Sequence, residues 1–118
     1  MSSPAIIRLA SAGDPQAAPI DPSRILSGTP TTTVDNRYSS NDARFHVGIW
    51  TSSVGRWRVH YTEQEYCFLT RGRVRLESDD GSSLDFVAGD AFVIPCGFSG
   101  TWETLEDCAK HYVIYEPT

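Results

Sequence analysis

The sequence predicts an all-β domain, a sandwich or jelly-roll barrel of antiparallel strands, preceded by an extended N-terminal arm. Three observations predict it. From Arg44 onward, short segments rich in Val, Ile, Phe, Tyr and Trp are punctuated by turn residues about every 8–12 positions, a spacing of strands rather than of helices. The run Arg73-Val74-Arg75-Leu76-Glu77 alternates strictly, which sends Val74 and Leu76 to one face and the charges to the other. No segment sustains a 3.6-residue apolar period, so no helix is required.

The elements follow in chain order. Residues 1–43 hold five of the seven prolines and a Thr/Ser/Asn/Asp-rich stretch from Ser27 to Asp42, the composition of an extended arm. Within it, Ala5–Leu9 and Arg24–Leu26 are candidates for short strands, and the arm either packs along the body or crosses to a partner chain. The body, 44–118, carries strands near 44–51, 56–62, 65–70, 72–77, 83–87, 91–94, 101–105 and 109–115. Gly72 allows a tight exchange between the third and fourth of these. Asp79-Asp80-Gly81 is a hairpin signal that returns the chain into Leu84 to Val87. Gly89-Asp90 makes a sharp turn, and Pro95-Cys96-Gly97 another that aims the next strand into the barrel. About eight short strands in about 75 residues suit a jelly roll.

Composition narrows the function. The chain has 118 residues, 40% of them apolar, with a net charge of -5, enough for one domain with its own core. An acidic balance makes nucleic acid an unsuitable partner. No uninterrupted apolar run approaches the roughly 18 residues of a membrane span, and Arg8 breaks the apolar start, so neither a span nor a secretory signal is expected and the setting is read as cytoplasmic. Cys67, Cys96 and Cys108 are odd in number and lack a CxxC spacing, which argues against a disulfide framework or a structural zinc site.

Two stretches carry a family resemblance. Glu65-Tyr66-Cys67-Phe68-Leu69-Thr70-Arg71-Gly72 joins a glutamate to a glycine across six residues, and Gly89-Asp90-Ala91-Phe92-Val93-Ile94-Pro95-Cys96-Gly97 joins a glycine to a Pro-x-Gly turn across five. Together they resemble a cupin over residues 44–115. More narrowly, the chain is similar to small single-domain cupins described as like the cupin domain of (S)-ureidoglycine aminohydrolase, and more distantly to an ethanolamine-utilisation cupin. The resemblance implies a jelly-roll barrel and a homodimer, and an arm beside open sheet edges gives the dimer a physical reason. Metal-binding cupins place a His-x-His pair three or four residues before the glutamate and a third histidine just beyond the Pro-x-Gly turn. Here those places hold Arg58 and His60, or Val59 and Tyr61, and Gly100 replaces the third. No cofactor is therefore expected, a divalent metal held by His60 and Glu65 being the alternative.

Strand parity chooses between the alignments. Trp57, Val59 and Tyr61 form the apolar set, so Tyr61 is expected inside and His60 at the surface or rim. Glu65, Cys67 and Leu69 share the inward parity of their strand, as Gly100, Trp102 and Thr104 do of theirs. A carboxylate among aromatic rings suits general acid/base chemistry. Glu65 is thus the first candidate, with Tyr61 as a phenol donor. Lys110, the single lysine, is an anion contact or a Glu65 partner if it faces inward and a solvated residue otherwise. Trp102, Cys67, Trp50 and Tyr112 are candidates for the ligand-binding wall, Trp102 filling the space left at Gly100. Trp50 and Trp57 can equally be core or interface, and Cys67 a small buried hydrophobe.

The expected function is that of a small-metabolite-binding cupin, as a metal-independent acid/base enzyme of aminohydrolase, lyase or isomerase type working through Glu65. The alternatives are a non-catalytic binding or sensing module, and a metalloenzyme with the atypical His60 and Glu65 set.

Overall fold

The structure, a computed structural model, describes residues 3–9 and 13–117. Among these, nine strands form one curled antiparallel sheet: β1 (Gln16–Ala17), β2 (Ile25–Gly28), β3 (Thr32–Ser39), β4 (Phe45–Ser52), β5 (Gly55–His60), β6 (Gln64–Ser78), β7 (Ser83–Val87), β8 (Ala91–Ile94) and β9 (Ser99–Tyr115). A single 3-10 turn, Pro22–Arg24, precedes β2. No helix of the described residues is long and apolar enough to cross a membrane. The jelly-roll expectation holds.

Two strands belong to both layers of the barrel. One layer runs β1-β3-β4, then the C-terminal half of β9, the N-terminal half of β6 and β8. The other runs β2-β5, then the N-terminal half of β9, the C-terminal half of β6 and β7. The sequence reading broke each of these long strands in two. They are continuous because the breaks are register shifts between Leu69 and Val74, which bend the ladder without ending it. Gly72 sits at that crossing with φ +87, and a Cβ there would lie 2.3 Å from the Asp107 carbonyl oxygen, so only glycine lets the strands pass.

The arm differs from its expectation. The segment 32–39, assigned to it as irregular chain, is the eight-residue strand β3, paired along its length with β4. Asp35, Asn36 and Arg37 obscured the signal, whereas Thr32, Thr33, Val34 and Tyr38 have the branched and aromatic side chains that favour strands. Arg24–Leu26 is matched by β2, pairing Ile25 with Trp57. Ala5–Leu9 forms no strand. Between the layers lies a core of Trp57, Val59, Leu69, Val74, Leu76, Ile94 and Trp102, all buried.

Candidate active site in the barrel

Alternation along β6 buries Glu65, Cys67 and Leu69 and exposes Tyr66 and Thr70, as the parity required. On the facing strand, Lys110 pairs with Leu69 on one side and Trp50 on the other, and its side chain turns inward, only 4% exposed. Its Nζ donates to Glu65 Oε2 at 2.7 Å and to Cys67 Sγ at 3.4 Å, while the Cys67 thiol donates to the same Glu65 oxygen at 3.3 Å. The ammonium lies 4.5 Å from the Trp102 ring centroid and 4.8 Å from that of Trp50, within range of attraction to both ring faces. The two indoles meet edge to face at 5.3 Å. The inward Lys110 is the Glu65 partner that the sequence left open.

The electrostatics follow from burial and this pairing. Burial pulls the Lys110 ammonium down, but Glu65, Cys67 and Tyr61 together outweigh it and hold the lysine above its ordinary range, so it stays charged. Burial pushes the Cys67 thiol up to about 12, against the pull of Lys110. That makes Cys67 an unreactive thiol. Burial likewise raises the Tyr61 phenol, keeping its proton in place.

A cavity of about 420 Å³ opens over the pair, and its wall includes Trp50, Trp57, Tyr61, Glu65, Trp102 and Lys110. On β5, Trp57 and Val59 are buried while Arg58 and His60 are exposed, so His60 reaches only the rim. The next residue, Tyr61, points in and meets Phe98 at 6.3 Å, its backbone tied to the Pro95-Cys96-Gly97 turn by bonds from Tyr61 N to Phe98 O and from Gly97 N to Tyr61 O. Tyr112 also reaches the wall, its hydroxyl donating to Asn36 Oδ1 at 2.7 Å. Cys67 is not on that wall. It stands behind the ion pair with no exposed surface, which corrects its assignment as a ligand contact.

The polar atoms facing the cavity are unequally satisfied. Glu65 Oε2 takes both Lys110 and Cys67, but Oε1 accepts no hydrogen bond from the described residues. Among the described residues, the Tyr61 hydroxyl, also on the cavity wall, has no hydrogen-bond partner either. Trp102, by contrast, is locked: its Nε1 donates to Thr104 Oγ1 at 2.9 Å, and that hydroxyl donates to Ser52 Oγ at 3.1 Å. Ser52 and Asn36 were missed in the sequence, being short polar residues with no motif around them.

The positions of the metal-binding cupins assemble no ligand set here. Among the described residues, no three His, Cys, Asp or Glu side chains converge as a metal site. A Cβ at Gly100 would lie 2.0 Å from the Glu77 carbonyl oxygen, so the backbone itself excludes a histidine there. This also corrects the reading of Trp102 as filler for that space: the β6 backbone fills it, and Trp102 packs two residues further on. A charged ammonium already occupies the inner face of Glu65.

Known proteins place this geometry. Among solved structures, a protein of unknown function from Pseudomonas syringae pv. tomato superposes with a TM-score of 0.79 at 25% identity, over 89% of this chain and 45% of its own, so this chain spans less than half of that protein's length. A Thermotoga maritima protein of the same family has 31% identity and a TM-score of 0.53, over 54% of this chain and 73% of its own. The Clostridium difficile EutQ protein, at 14% identity and a TM-score of 0.67 over 84% of this chain and 81% of its own, shares the fold. No curated protein matches. The pattern of the EutQ-like cupin domain matches residues 39–112, and with the barrel and its inward glutamate the chain belongs to the EutQ-like cupin domain family.

Proposed function

We propose that the barrel binds a small polar metabolite and moves a proton on it without a metal, Glu65 acting as the base. One observation carries the reading: the Glu65 carboxylate on the cavity wall is divided, Oε2 anchored by Lys110 at 2.7 Å and Oε1 accepting no hydrogen bond from the described residues. An anchored carboxylate with one free oxygen is oriented for proton transfer, because its rotation is already lost before the substrate arrives. In this scheme Oε1 removes a proton from the substrate and returns it to a second atom. The Tyr61 hydroxyl donates to the substrate oxygen on which charge develops. Lys110 keeps its own proton and holds Glu65 in position. An isomerase and a lyase use these steps, and an aminohydrolase would turn the same base on a water that displaces the amine as ammonia. The resemblance to ureidoglycine aminohydrolases suggests nitrogen-rich substrates, but that activity is not carried over, since the metal set of the family's metal-binding members has no counterpart in these residues.

Deuterium wash-in tests the reading without knowledge of the product. A panel of small metabolites is incubated with the protein in D2O and followed by proton NMR. The wild-type protein is expected to exchange a carbon-bound proton on at least one compound, and Glu65→Gln, with its fold verified by circular dichroism, to lose that exchange by about 100-fold or more. Exchange undiminished by E65Q, or saturable binding with no exchange on any compound, would overturn it in favour of a non-catalytic binding module.

A further inference from the structure

The cavity has a second polar end, and it is built by residues that precede the matched domain. The 3-10 turn Pro22–Arg24 is capped by Asp21, whose carboxylate accepts from Ser23 N at 3.0 Å, and the chain then enters β2 beside Trp57. This places Arg24 on the cavity wall, where its Nε and Nη2 donate to the Arg58 carbonyl oxygen at 2.9 and 2.8 Å. A guanidinium has five donors in one rigid plane. The carbonyl clamp uses one edge of that plane, and Nη1 makes no hydrogen bond among the described residues. No carboxylate of the described residues lies within ion-pair distance of Arg24, although the chain has many acids and most of its other arginines find one. Glu63, the acid on the opposite rim, turns Oε2 to the Thr62 hydroxyl at 3.1 Å.

We infer that Arg24 selects an anionic group, so that the ligand is a small carboxylate bearing a hydroxyl or N–H at its far end. The carboxylate meets Arg24 at the rim, the far-end donor meets Glu65 Oε1, and an adjoining oxygen meets the Tyr61 hydroxyl. The indole walls of Trp50 and Trp57 lie between these ends and contribute apolar surface. This deepens the proposed function, since it names the ligand class of the same cavity. It also divides the labour: residues 39–112 hold the proton chemistry, and the segment before them reads the charge.

The chain's three tryptophans all line this cavity, so intrinsic fluorescence reports on its contents. The probes are glycolate, lactate and N-acetylglycine, each titrated against its neutral amide. At least one acid is expected to bind about ten-fold or more tightly than its amide, the gain of a charge-assisted hydrogen bond pair. Arg24→Gln should bring that ratio close to unity, and Arg24→Lys should keep part of it. Amides that bind as tightly as acids, a preference that survives R24Q, or no saturable signal from any acid would overturn the inference. The two claims separate by readout: loss of deuterium wash-in in E65Q tests the proton chemistry, and loss of the acid-to-amide ratio in R24Q tests the charge selection.

Discussion

The two halves of β6 obey the same alternation and bury opposite chemistries. In the first half the inward residues are Glu65, Cys67 and Leu69, and in the second Val74 and Leu76. Each half faces β9, which supplies Lys110 to the first and Trp102 to the second. One end of the barrel is therefore a charged cavity and the other an apolar plug against Phe86 and Phe92, whose rings stack at 3.9 Å. The lesson is that parity decides which residues enter the barrel, while the partner strand decides what an inward residue can do. Glu65 is tolerable inside because Lys110, in register with Leu69, reaches along the strands to pair with it.

Breaking the charged end should have the largest effect. Lys110→Met leaves a buried carboxylate without its cation and is expected to cost about 3–5 kcal/mol in urea denaturation. The double variant E65Q/K110M should recover more than half of that loss, because removing both charges also removes their desolvation cost. If K110M alone loses less than about 1 kcal/mol, the pair contributes little and the contrast between the halves fails.

Breaking the apolar end should cost less and leave the chemistry alone. Leu76→Ala removes a side chain that is 8% exposed and opens a cavity in the plug, for an expected loss of about 2–3 kcal/mol. Deuterium wash-in should persist in the folded variant, since Leu76 lies off the cavity wall. A collapse of wash-in would mean that the two ends are coupled.

Alkaline pH sharpens the comparison with the smallest perturbation. Cys67 and Lys110 are both raised in the fold, so the folded state holds protons that the unfolded chain releases. Their stabilisation is complete below the unfolded values and is lost as pH climbs from about 9, the free thiol, toward the folded Cys67 value of about 12. Melting temperatures should hold level near neutrality and fall above pH 9. In K110M/E65Q the lysine's share of that fall should vanish. Thiol labelling at pH 8 should find exposed Cys96 in the native protein, and Cys67 and Cys108 only in denaturant.

Much of the barrel end was legible in the sequence. The inward set Glu65, Cys67 and Leu69, and the choice of Tyr61 over His60, followed from a period of two in strands with clear polar and apolar faces. Lys110 was legible as a candidate partner of Glu65 but its inward facing was not, because Ala109-Lys110-His111-Tyr112 has no face that hydrophobicity alone identifies as inward. Strand β3 was hidden for a related reason: with β4 and β1 beside it, its backbone is satisfied whatever its polar side chains do. Arg24 and Asn36 depend on tertiary placement. Nothing local to either residue points to a cavity whose deeper walls come from β4, β5, β6 and β9.

The passage of β6 and β9 through both layers bears on how a ligand can enter. A sandwich of two independent sheets can gape along a seam, as a book opens at its spine. Here the layers cannot part along β6 and β9, since that would tear the ladder that belongs to both, and their free edges are β1, β2, β7 and β8. The cavity wall includes Arg24, on the turn before β2, and Tyr61 and Glu63, on the loop after β5. Those two short segments are the doorposts of the cavity, and the shared ladder of β6 and β9 is the wall that cannot open.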